Sequence, residues 1–470
     1  MIAAASFANK DVGVFGLARS GLATLRSLKA GGARIFAWDD NEAAREEAHS
    51  EGVTVADFHN WPWTKLSALV LSPGVPLTHP APHAVVKTAR AANVEIIGDV
   101  ELFGREIRPD RALPGRAPVI AVTGTNGKST TTALIGHILS SCGFAAEVGG
   151  NIGKPVLSLS IRNGKPVFVI EVSSYQIDLA RGFEPDMSIL TNITPDHIDR
   201  HGSIEAYAGI KQRLLKQTAK GGHVCIGVDD PYSAAIFTSF SSNGGPDATP
   251  VSIGKVLGRG VFVLDGMLYD AQGQRATKVM DLSTAAHLPG AHNWQNAALA
   301  YAATKPLVQD ARAIASAIAD FPGLAHRIED VGRIGRVRFV NDSKATNADA
   351  AERALLCFSD IFWIAGGIAK EGGIESLKPQ FSRIRKAYLI GTAAKDFAQT
   401  LESVPVEMSG TLDKAVASAF ADAQRSQVAN PVVLLSPACA SFDQFRDFEQ
   451  RGDTFRSLVA QLSPPLEAAS

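Results

Sequence analysis

The sequence of 470 residues predicts an α/β protein of three domains. Three observations support this fold class. Short β-branched runs alternate with helical stretches, the hydrophobic content of 46% allows a core in each domain, and the length suits about three domains. Proline- and glycine-containing stretches at 108–118 and 322–323 suggest the boundaries, so we predict domains at 1–117, 118–323 and 324–470.

The N-terminal domain begins with a predicted strand, helix and strand. Asp11–Gly16 is a strand that enters a glycine turn, Leu17–Lys29 is a helix, and Ala33–Trp38 is a strand that ends at Asp39 and Asp40. An acidic residue about 20 positions after the turn is typical of a Rossmann-like domain. Ala18 stands where the GxGxxG pattern has its second glycine. A dinucleotide site and a site for a uridine nucleotide therefore both remain open.

The central domain begins with the most informative stretch of the chain. Val119–Val122 is a predicted buried strand, Gly124 and Gly127 punctuate the turn after it, and Lys128 opens a helical pattern. Backbone N–H groups at such a helix start bind phosphate, with Lys128 near the terminal phosphates and the next hydroxyl, that of Ser129, near Mg²⁺. Val122 replaces the first glycine of a full Walker A motif. We predict a central domain of the P-loop ATPase type.

Two later strands of this domain end in polar residues. Glu171 lies near the carboxyl end of the strand Pro166–Val172, and the strand Met187–Asn192 runs into a loop that contains His197. A carboxylate at a buried strand end is either a structural residue with hydrogen-bond partners or a metal ligand. Beside a phosphate loop we favour Mg²⁺. Ligands bind at the carboxyl ends of strands in α/β sheets, so the loop is a candidate site rather than a plain solvated loop.

The C-terminal domain repeats the alternation of strands and helices, which predicts a second Rossmann-like domain. Polar or glycine-containing loops follow its predicted strands. The strands are Arg336–Val340, Ile361–Ala365, Ala387–Ile390 and Val432–Leu435, and the loops are Asn341–Thr346, Gly366–Lys370 and Ser436–Ser441.

Composition excludes several classes of protein. The formal net charge of −1 argues against a non-specific nucleic-acid binder, which would need a basic face. The four cysteines are far apart and form no CxxC pair, so a reducing compartment, the cytoplasm, is expected. We read no signal peptide and, without a run of about 18 apolar residues, no membrane span.

Eight strings, in one order along the chain, resemble the Mur ligase family. They span nearly the whole chain, and the last two resemble the member that adds D-glutamate. They are 124–130 (GTNGKST), 149–153 (GGNIG), 171–176 (EVSSYQ), 192–200 (NITPDHIDR), 290–293 (GAHN), 326–327 (HR), 341–346 (NDSKAT), and 436–445 (SPACASFDQF) with 448–452 (FEQRG).

The resemblance implies an ATP-dependent ligase of cytoplasmic peptidoglycan precursor synthesis. Its substrates would be UDP-N-acetylmuramoyl-L-alanine and D-glutamate, and its cofactors ATP and Mg²⁺, with two ions expected. ATP would phosphorylate the alanyl carboxylate, and the amine of D-glutamate would then attack the acyl phosphate. Metal ions and lysines must screen the negative charges that this reaction brings together. A monomer is expected.

The resemblance also assigns residue roles. Lys128, Glu171, His197 and Lys211 would be catalytic, and Ser129, Glu171, His197 and carbamylated Lys211 would hold metal. ATP contacts would be Gly124, Thr125, Asn126, Gly127, Lys128, Ser129, Thr130, Asn293, Asn296, Arg327 (with its neighbour His326) and Asp342. Contacts to the UDP substrate would be Arg19, Ser20, Asp39, Asp40, Ser72, Gly74 and Asn151, although Asn41 stands where a more basic residue is expected. The D-glutamate contacts would be Lys344, Thr346, Lys370, Ser441 and Phe448.

Lys211 and Ser441 each allow a simpler interpretation. Ser203–Lys216 is a predicted helix on which Tyr207 and Lys211 share a face, and a solvated basic face would explain that lysine. The carbamate, an anionic oxygen ligand, is implied by the resemblance. Ser441 could instead cap a helix that contains Asp443.

Other functions remain possible from the sequence. The nearest is another Mur ligase with different amino-acid specificity. A P-loop switch protein would hydrolyse ATP without an amino acid, and a dinucleotide oxidoreductase would leave the phosphate loop unexplained. The junction Pro322–Gly323 is a candidate hinge between the second and third domains.

Overall fold

The structure, a computed structural model, describes residues 1–107, 117–160, 163–242, 246–370 and 372–462. Its large sheets, three in these ranges, carry helices between their strands, which confirms the predicted α/β fold class. The chain forms two compact units. One comprises Met1–Ala285 and Asn293–Phe321, and the other Ala286–His292 and Pro322–Ser470. The predicted domain boundaries stay predictions, and most of the predicted linker at 108–118 lies outside the described residues.

The first sheet is parallel, with the strand order β3-β2-β1-β4-β5. Its strands are β1 Asp11–Phe15, β2 Arg34–Trp38, β3 Thr54–Val55, β4 Leu66–Leu71 and β5 Ile96–Ile97. Its helices are α1 Arg19–Ala30, α2 Glu42–Ser50, α3 Ala84–Ala91 and α4 Asp99–Ile107. The order reverses at β1, so the carboxyl ends of β1 and β4 form the crevice in which such sheets bind ligands.

The central sheet has the strand order β14-β13-β12-β11-β10-β9-β6-β8-β7. Its strands are β6 Val119–Thr123, β7 Ala145–Gly150, β8 Pro166–Glu171, β9 Met187–Leu190, β10 His223–Gly227, β11 Asp247–Ser252, β12 Val261–Leu264, β13 Met267–Asp270 and β14 Thr277–Asp281. Its helices are α5 Lys128–Ser141, α6 Ser174–Asp178, α7 Ile198–His201, α8 Ile204–Lys216, α9 Pro231–Ser242, α10 Ala291–Val308 and α11 Ala311–Ala319.

Strands β12 to β14 were not predicted. They form an antiparallel meander at one edge of the central sheet, while the strands from β6 to β11 pair in parallel. The meander strands are short and turn after four or five residues, so their alternation of apolar and polar residues is too brief to stand out.

The third sheet has the strand order β15-β16-β21-β17-β19-β20, with β18 and β22 forming a separate antiparallel pair. The strands are β15 Glu329–Ile334, β16 Val337–Asn341, β17 Ile361–Gly366, β18 Ile368–Ala369, β19 Ile384–Ile390, β20 Val406–Gly410, β21 Val432–Leu435 and β22 Cys439–Ala440. The helices are α12 Ala348–Cys357, α13 Ala394–Thr400, α14 Leu412–Arg425 and α15 Phe448–Leu462. β15 is an antiparallel edge strand on an otherwise parallel sheet.

One hydrophobic core joins the first and central sheets. It includes Val14 of β1, Phe103 of α4 and Phe168 of β8, all at most 1% exposed. The rings of Phe103 and Phe168 meet edge to face, with centroids 5.2 Å apart. Each fully buried side chain of this size stabilises the packed state by about 2–3 kcal/mol. The two sheets therefore hold their carboxyl-end loops in a fixed relation.

Across the described ranges, none of the helices combines the length and apolar character that a bilayer-crossing segment requires.

Candidate functional site

The phosphate loop connects β6 to α5 and depends on two glycines. Gly124 and Gly127 have φ angles of 143° and 82°, a region that side chains disfavour. A Cβ atom on Gly124 would lie 1.8 Å from Thr191 Oγ1, and one on Gly127 would lie 2.2 Å from Asn296 Oδ1. No larger residue fits at either position. The glycines that marked the turn in the sequence are required by its shape.

Lys128 and Asn296 lie at the start of α5. The Lys128 amine donates to the carbonyl oxygens of Gly124 (3.0 Å) and Thr125 (2.7 Å), so it folds back over the loop. Thr131 donates to Asn296 Oδ1 at 3.2 Å. Asn296 in turn donates to Asn293 Oδ1 at 3.0 Å. The predicted ATP contacts Asn293 and Asn296 thus adjoin the phosphate loop.

Glu171 ends β8 as predicted and is 2% exposed. Its Oε1 accepts a hydrogen bond of 2.7 Å from the Asn151 side-chain amide. Its Oε2 is buried and has no hydrogen-bond partner among the described residues. An unsatisfied buried carboxylate oxygen is costly, and a bound cation would satisfy it.

Lys211 is 1% exposed, so the simpler interpretation as a solvated basic face is wrong. Its amine donates to Gly124 O at 2.8 Å and lies 4.5 Å from the ring centroid of Tyr207, the residue that shares its helix face. Burial lowers the pKa of the Lys211 amine well below its usual value, and the positive charge of Lys128 lowers it further. This amine is therefore biased toward its neutral, nucleophilic form.

His197 precedes α7 in the left-handed conformation, with φ of 54°. Its Nδ1 lies 2.8 Å from the hydroxyl of Tyr175, and its Nε2 lies 3.4 Å from Asp196. Behind it, His201 contacts Ser174 Oγ at 3.0 Å, and burial lowers its pKa to about 4. The two histidines differ in environment, since His197 is exposed and His201 is buried.

A cavity of about 470 Å³ brings these side chains together. It lies between the carboxyl-end loops of the first and central sheets. Its walls include Ser20, Ser72 and Gly74 from the first sheet, and Lys128, Asn151, Tyr175, His197, Tyr207 and Lys211 from the central sheet. Four of the predicted contacts to the UDP substrate, Ser20, Ser72, Gly74 and Asn151, therefore lie beside the predicted catalytic residues.

The other predicted contacts to the UDP substrate lie elsewhere on the first sheet. Asp39 accepts a hydrogen bond of 2.5 Å from the Leu17 N–H and so closes the turn after β1. Arg19 and Asn41 line a second cavity of about 460 Å³. Asp40 lies 3.2 Å from His83.

Asn41 caps α2 by accepting a hydrogen bond from the Ala43 N–H, and the nearby cation Arg45 lies on the same helix. Arg45 donates to the carbonyl oxygens of Asp39 and Asp40 and stacks on Trp38 at 4.5 Å.

The second compact unit contains Asp342 at the end of β16. Its carboxylate accepts hydrogen bonds from Ser436 Oγ (2.7 Å) and the Ile328 N–H (3.1 Å). Burial raises its pKa to about 7, although Ser436 and Arg327 oppose that shift. His326, beside Arg327, is buried against Asn341, whose amide lies 3.1 Å from His326 Nδ1.

The predicted D-glutamate residues lie in three loops of this unit and at the start of α15. The amine of Lys344 is 5.2 Å from the ring centroid of Phe448, and Ser441 is 2% exposed. Ser441 is not a helix cap, as an alternative interpretation had it, because a turn follows it and α15 begins only at Phe448. Thr346 precedes α12, and Lys370 follows the short strand β18 with an exposed side chain.

Arg451 was not singled out in the sequence. It is 1% exposed and donates to Ser343 Oγ (3.0 Å), Ser343 O (2.8 Å) and Cys439 O (3.0 Å). Ser343 Oγ donates onward to Phe448 O at 2.8 Å. Arg451 therefore joins two of the D-glutamate strings, 341–346 and 436–445. Arg451 lies in the string FEQRG, and this position is the feature of the sequence that could have identified it.

The described residues hold few side chains that could together bind a metal ion. Within the described ranges, three or more His, Cys, Asp or Glu side chains nowhere cluster as a metal site requires. A site at Glu171 and His197 would thus need the further oxygens that Ser129 and a carbamylated Lys211 would supply.

The chain resembles known proteins over its whole length. The Mur ligase middle domain family matches residues 122–304. UDP-N-acetylmuramoylalanine–D-glutamate ligase of Caulobacter sp. strain K31 is 51% identical over 99% of both chains, and that of Caulobacter vibrioides strain NA1000 is 52% identical over 98% of both.

Solved structures share the fold at low identity. UDP-N-acetylmuramate-alanine ligase from Thermotoga maritima has a TM-score of 0.60 and 17% identity, covering 97% of this chain and 100% of its own. MurF ligase from the same organism, in complex with ADP, has a TM-score of 0.57 and 15% identity, with 98% of both chains covered.

Proposed function

Because the chain belongs to the Mur ligase family, we propose that it joins D-glutamate to UDP-N-acetylmuramoyl-L-alanine in an ATP-dependent reaction. Relatives that carry this reaction in their names are about half identical to it from end to end. The observation that best supports the proposal is the cavity in which the phosphate-loop lysine Lys128, the buried lysine Lys211 and His197 meet the first-sheet loops.

The reaction joins two anions and so needs positive charge. The terminal phosphoryl group of ATP moves to the alanyl carboxylate, which forms an acyl phosphate and releases ADP. The neutral amine of D-glutamate then attacks the acyl carbon, phosphate leaves, and the amine loses a proton. Lys128 and the N–H groups at the start of α5 are suited to hold the phosphates during transfer.

The residues around Glu171 fit Mg²⁺. The buried Oε2 lacks a partner among the described residues, and the carboxylate is fixed by Asn151. Ser129 at the start of α5 would offer a hydroxyl, and His197 a ring nitrogen. Bound there, Mg²⁺ would screen the charges of the triphosphate and the carboxylate. Asn151, which lines the cavity, holds the other carboxylate oxygen of Glu171 by its hydrogen bond.

Lys211 fits the proposed carbamate. Carbon dioxide adds to a neutral amine: an N–C bond forms, the nitrogen loses a proton, and an anionic carboxylate results. Burial and Lys128 both bias Lys211 toward the neutral amine that this addition requires. The product would place an anion beside the positive charge of Lys128, and the two charges would attract each other.

The C-terminal unit supplies the proposed D-glutamate pocket. Lys344 and Lys370 are cations suited to the two carboxylates of the amino acid, with Thr346, Ser441 and Phe448 as its remaining contacts. ATP would in addition contact Arg327 and Asp342 of this unit. We propose the cytoplasm as the compartment, which agrees with four free cysteines. The monomeric state stays a prediction.

Phosphate release tests the function. Purified protein with Mg²⁺, ATP and UDP-N-acetylmuramoyl-L-alanine would receive D-glutamate, L-glutamate, L-alanine, meso-diaminopimelate or L-lysine separately. We expect release with D-glutamate only, and its loss in K128M but not in K216M, a control at an exposed lysine of α8. Release with another amino acid would indicate a different Mur ligase. Release without any amino acid would favour an ATP-hydrolysing switch protein.

A further inference from the structure

Arg200 of α7 connects the central sheet to the loop after β4. Its guanidinium donates hydrogen bonds to the carbonyl oxygens of Pro73, Gly74 and Val75, at 3.4, 3.3 and 3.2 Å. The same group lies 4.8 Å from the ring centroid of Tyr175. Arg200 forms no ion pair with a carboxylate of the described residues. Its positively charged group therefore contacts a loop and an aromatic ring.

The carbonyl contacts determine what the loop offers to the cavity. In a trans peptide the N–H points away from the C=O. Pro73 O accepts a hydrogen bond from the Arg200 guanidinium, so the N–H of Gly74 in the same peptide faces away from that guanidinium. Gly74 is part of the cavity wall. A loop held by its carbonyl oxygens in this way can present N–H groups to an anionic substrate.

The aromatic contact extends to His197. The hydroxyl of Tyr175 lies 2.8 Å from His197 Nδ1, and the guanidinium rests on the face of the same ring. His197 adopts its left-handed conformation, φ 54°, without a glycine to ease it, so its place depends on such contacts. One guanidinium thus touches both the first-sheet loop and the residue that orients His197.

We propose that Arg200 is a positioning residue that couples the binding of the UDP-bearing substrate to the orientation of His197. It shapes the loop 73–75 for the substrate and fixes the ring of Tyr175, which fixes His197. This inference rests on the proposed function, because it concerns the substrate and the histidine of that same site. Lysine cannot replace arginine here, since it lacks the flat guanidinium and its parallel donors.

The test separates binding from turnover. In R200K, we expect KM for UDP-N-acetylmuramoyl-L-alanine to rise by about tenfold or more and kcat to fall by about tenfold, with KM for D-glutamate within about twofold. Y175F keeps the ring but loses the hydroxyl, so only kcat should fall. Y175L loses the ring as well, so the KM for the UDP substrate should rise, as in R200K.

A matched control and a double variant complete the design. Arg336 also donates to three backbone carbonyls, those of Gln424, Ser426 and Val428, and R336K should match the wild type. In a Y175F background, R200K should lower kcat less than it does alone, because the path to His197 is already broken.

Several results would overturn the inference. Wild-type values of KM and kcat in R200K would overturn it. If R200K failed to fold, equal KM values for the UDP substrate in Y175F and Y175L would overturn it instead. Additive effects of R200K and Y175F on kcat would show that Arg200 does not act on His197 through Tyr175. Absence of D-glutamate-dependent turnover in the wild type would instead reject the proposed function.

Discussion

Lys211 gives the first prediction at the scale of single residues. If its carbamate supplies an anionic oxygen to the metal, K211A should lower kcat by about 100-fold or more, the range seen when one charge-stabilising group is removed. Acetate should restore part of the activity, because it can occupy the space of the lost carboxylate. Steady-state kinetics with and without acetate measures both effects.

Carbon dioxide provides the control for Lys211. Wild-type activity should fall when the buffer is freed of CO₂ and return with bicarbonate, and a sample prepared with ¹³CO₂ should show a carbamate resonance that K211A lacks. K216A, at an exposed position of the same helix, should respond to neither treatment. Indifference of the wild type to CO₂, together with no acetate rescue, would contradict the carbamate.

Asp342 gives a prediction about pH. Burial raises its pKa to about 7 in the folded protein, against 3.8 as its usual value. The folded state therefore binds more protons than the unfolded state between these pH values, and this group's contribution to stability is lost as pH rises from about 4 to 7. D342N removes the titration. Thermal unfolding should show D342N gaining about 4 °C or more relative to wild type between pH 5 and pH 8.

The exposed aspartate Asp396 of α13 provides the comparison for Asp342. D396N should keep a constant difference from wild type across the same pH range. A constant difference in D342N too would show that the carboxyl of Asp342 titrates at an ordinary pH in the folded protein.

At the scale of elements, Arg451 joins helix α15 to two of the D-glutamate strings, 341–346 and 436–445. R451K keeps the charge but cannot reach Ser343 and Cys439 together with the same geometry. We expect KM for D-glutamate to rise by about tenfold or more, with KM for the UDP substrate within about twofold. Steady-state kinetics with each substrate varied in turn measures this.

R446K is the matched control, because Arg446 is exposed and bonded to its neighbour Asp447. Its kinetics should equal those of the wild type. An R451K protein that folds and keeps the wild-type KM for D-glutamate would show that the loops of Ser343 and Cys439 hold their shape without Arg451.

Elements also show what the sequence can and cannot reveal. The phosphate loop and the end of β8 follow from local patterns, since a glycine turn or a polar strand end shows within ten residues. The partners of Arg200 in the first sheet, more than a hundred positions away, have no local signature. Burial of Lys211 was hidden for the same reason, because the helix that carries it shows mixed polarity and the tertiary packing decides which face is covered.

At the scale of the whole molecule, the residues of the proposed reaction are distributed over the two compact units. The cavity with Lys128 and Lys211 belongs to one unit, whereas Lys370 belongs to the other. K370M should therefore raise KM for D-glutamate by about 100-fold or more, yet leave the acyl phosphate able to form. Reduction by borohydride in the absence of D-glutamate, followed by detection of the resulting alcohol, measures acyl phosphate directly.

Lys378 supplies the control for K370M, because it is an exposed lysine of the same unit paired with Glu375. K378M should behave as wild type in both assays. Loss of the trapped alcohol in K370M would mean that this lysine acts in phosphoryl transfer rather than in holding the amino acid.

Residues Ala286–His292 belong to the same compact unit as Pro322–Ser470, although the intervening 293–321 belongs to the other. Cys357 Sγ lies 3.8 Å from Pro289 O, so this early segment packs against a helix that follows much later in the chain. A ribosome releases residues 286–292 well before that helix exists. The segment must wait for its partner during synthesis, so the C-terminal unit completes its fold only after the first unit has received its last helices.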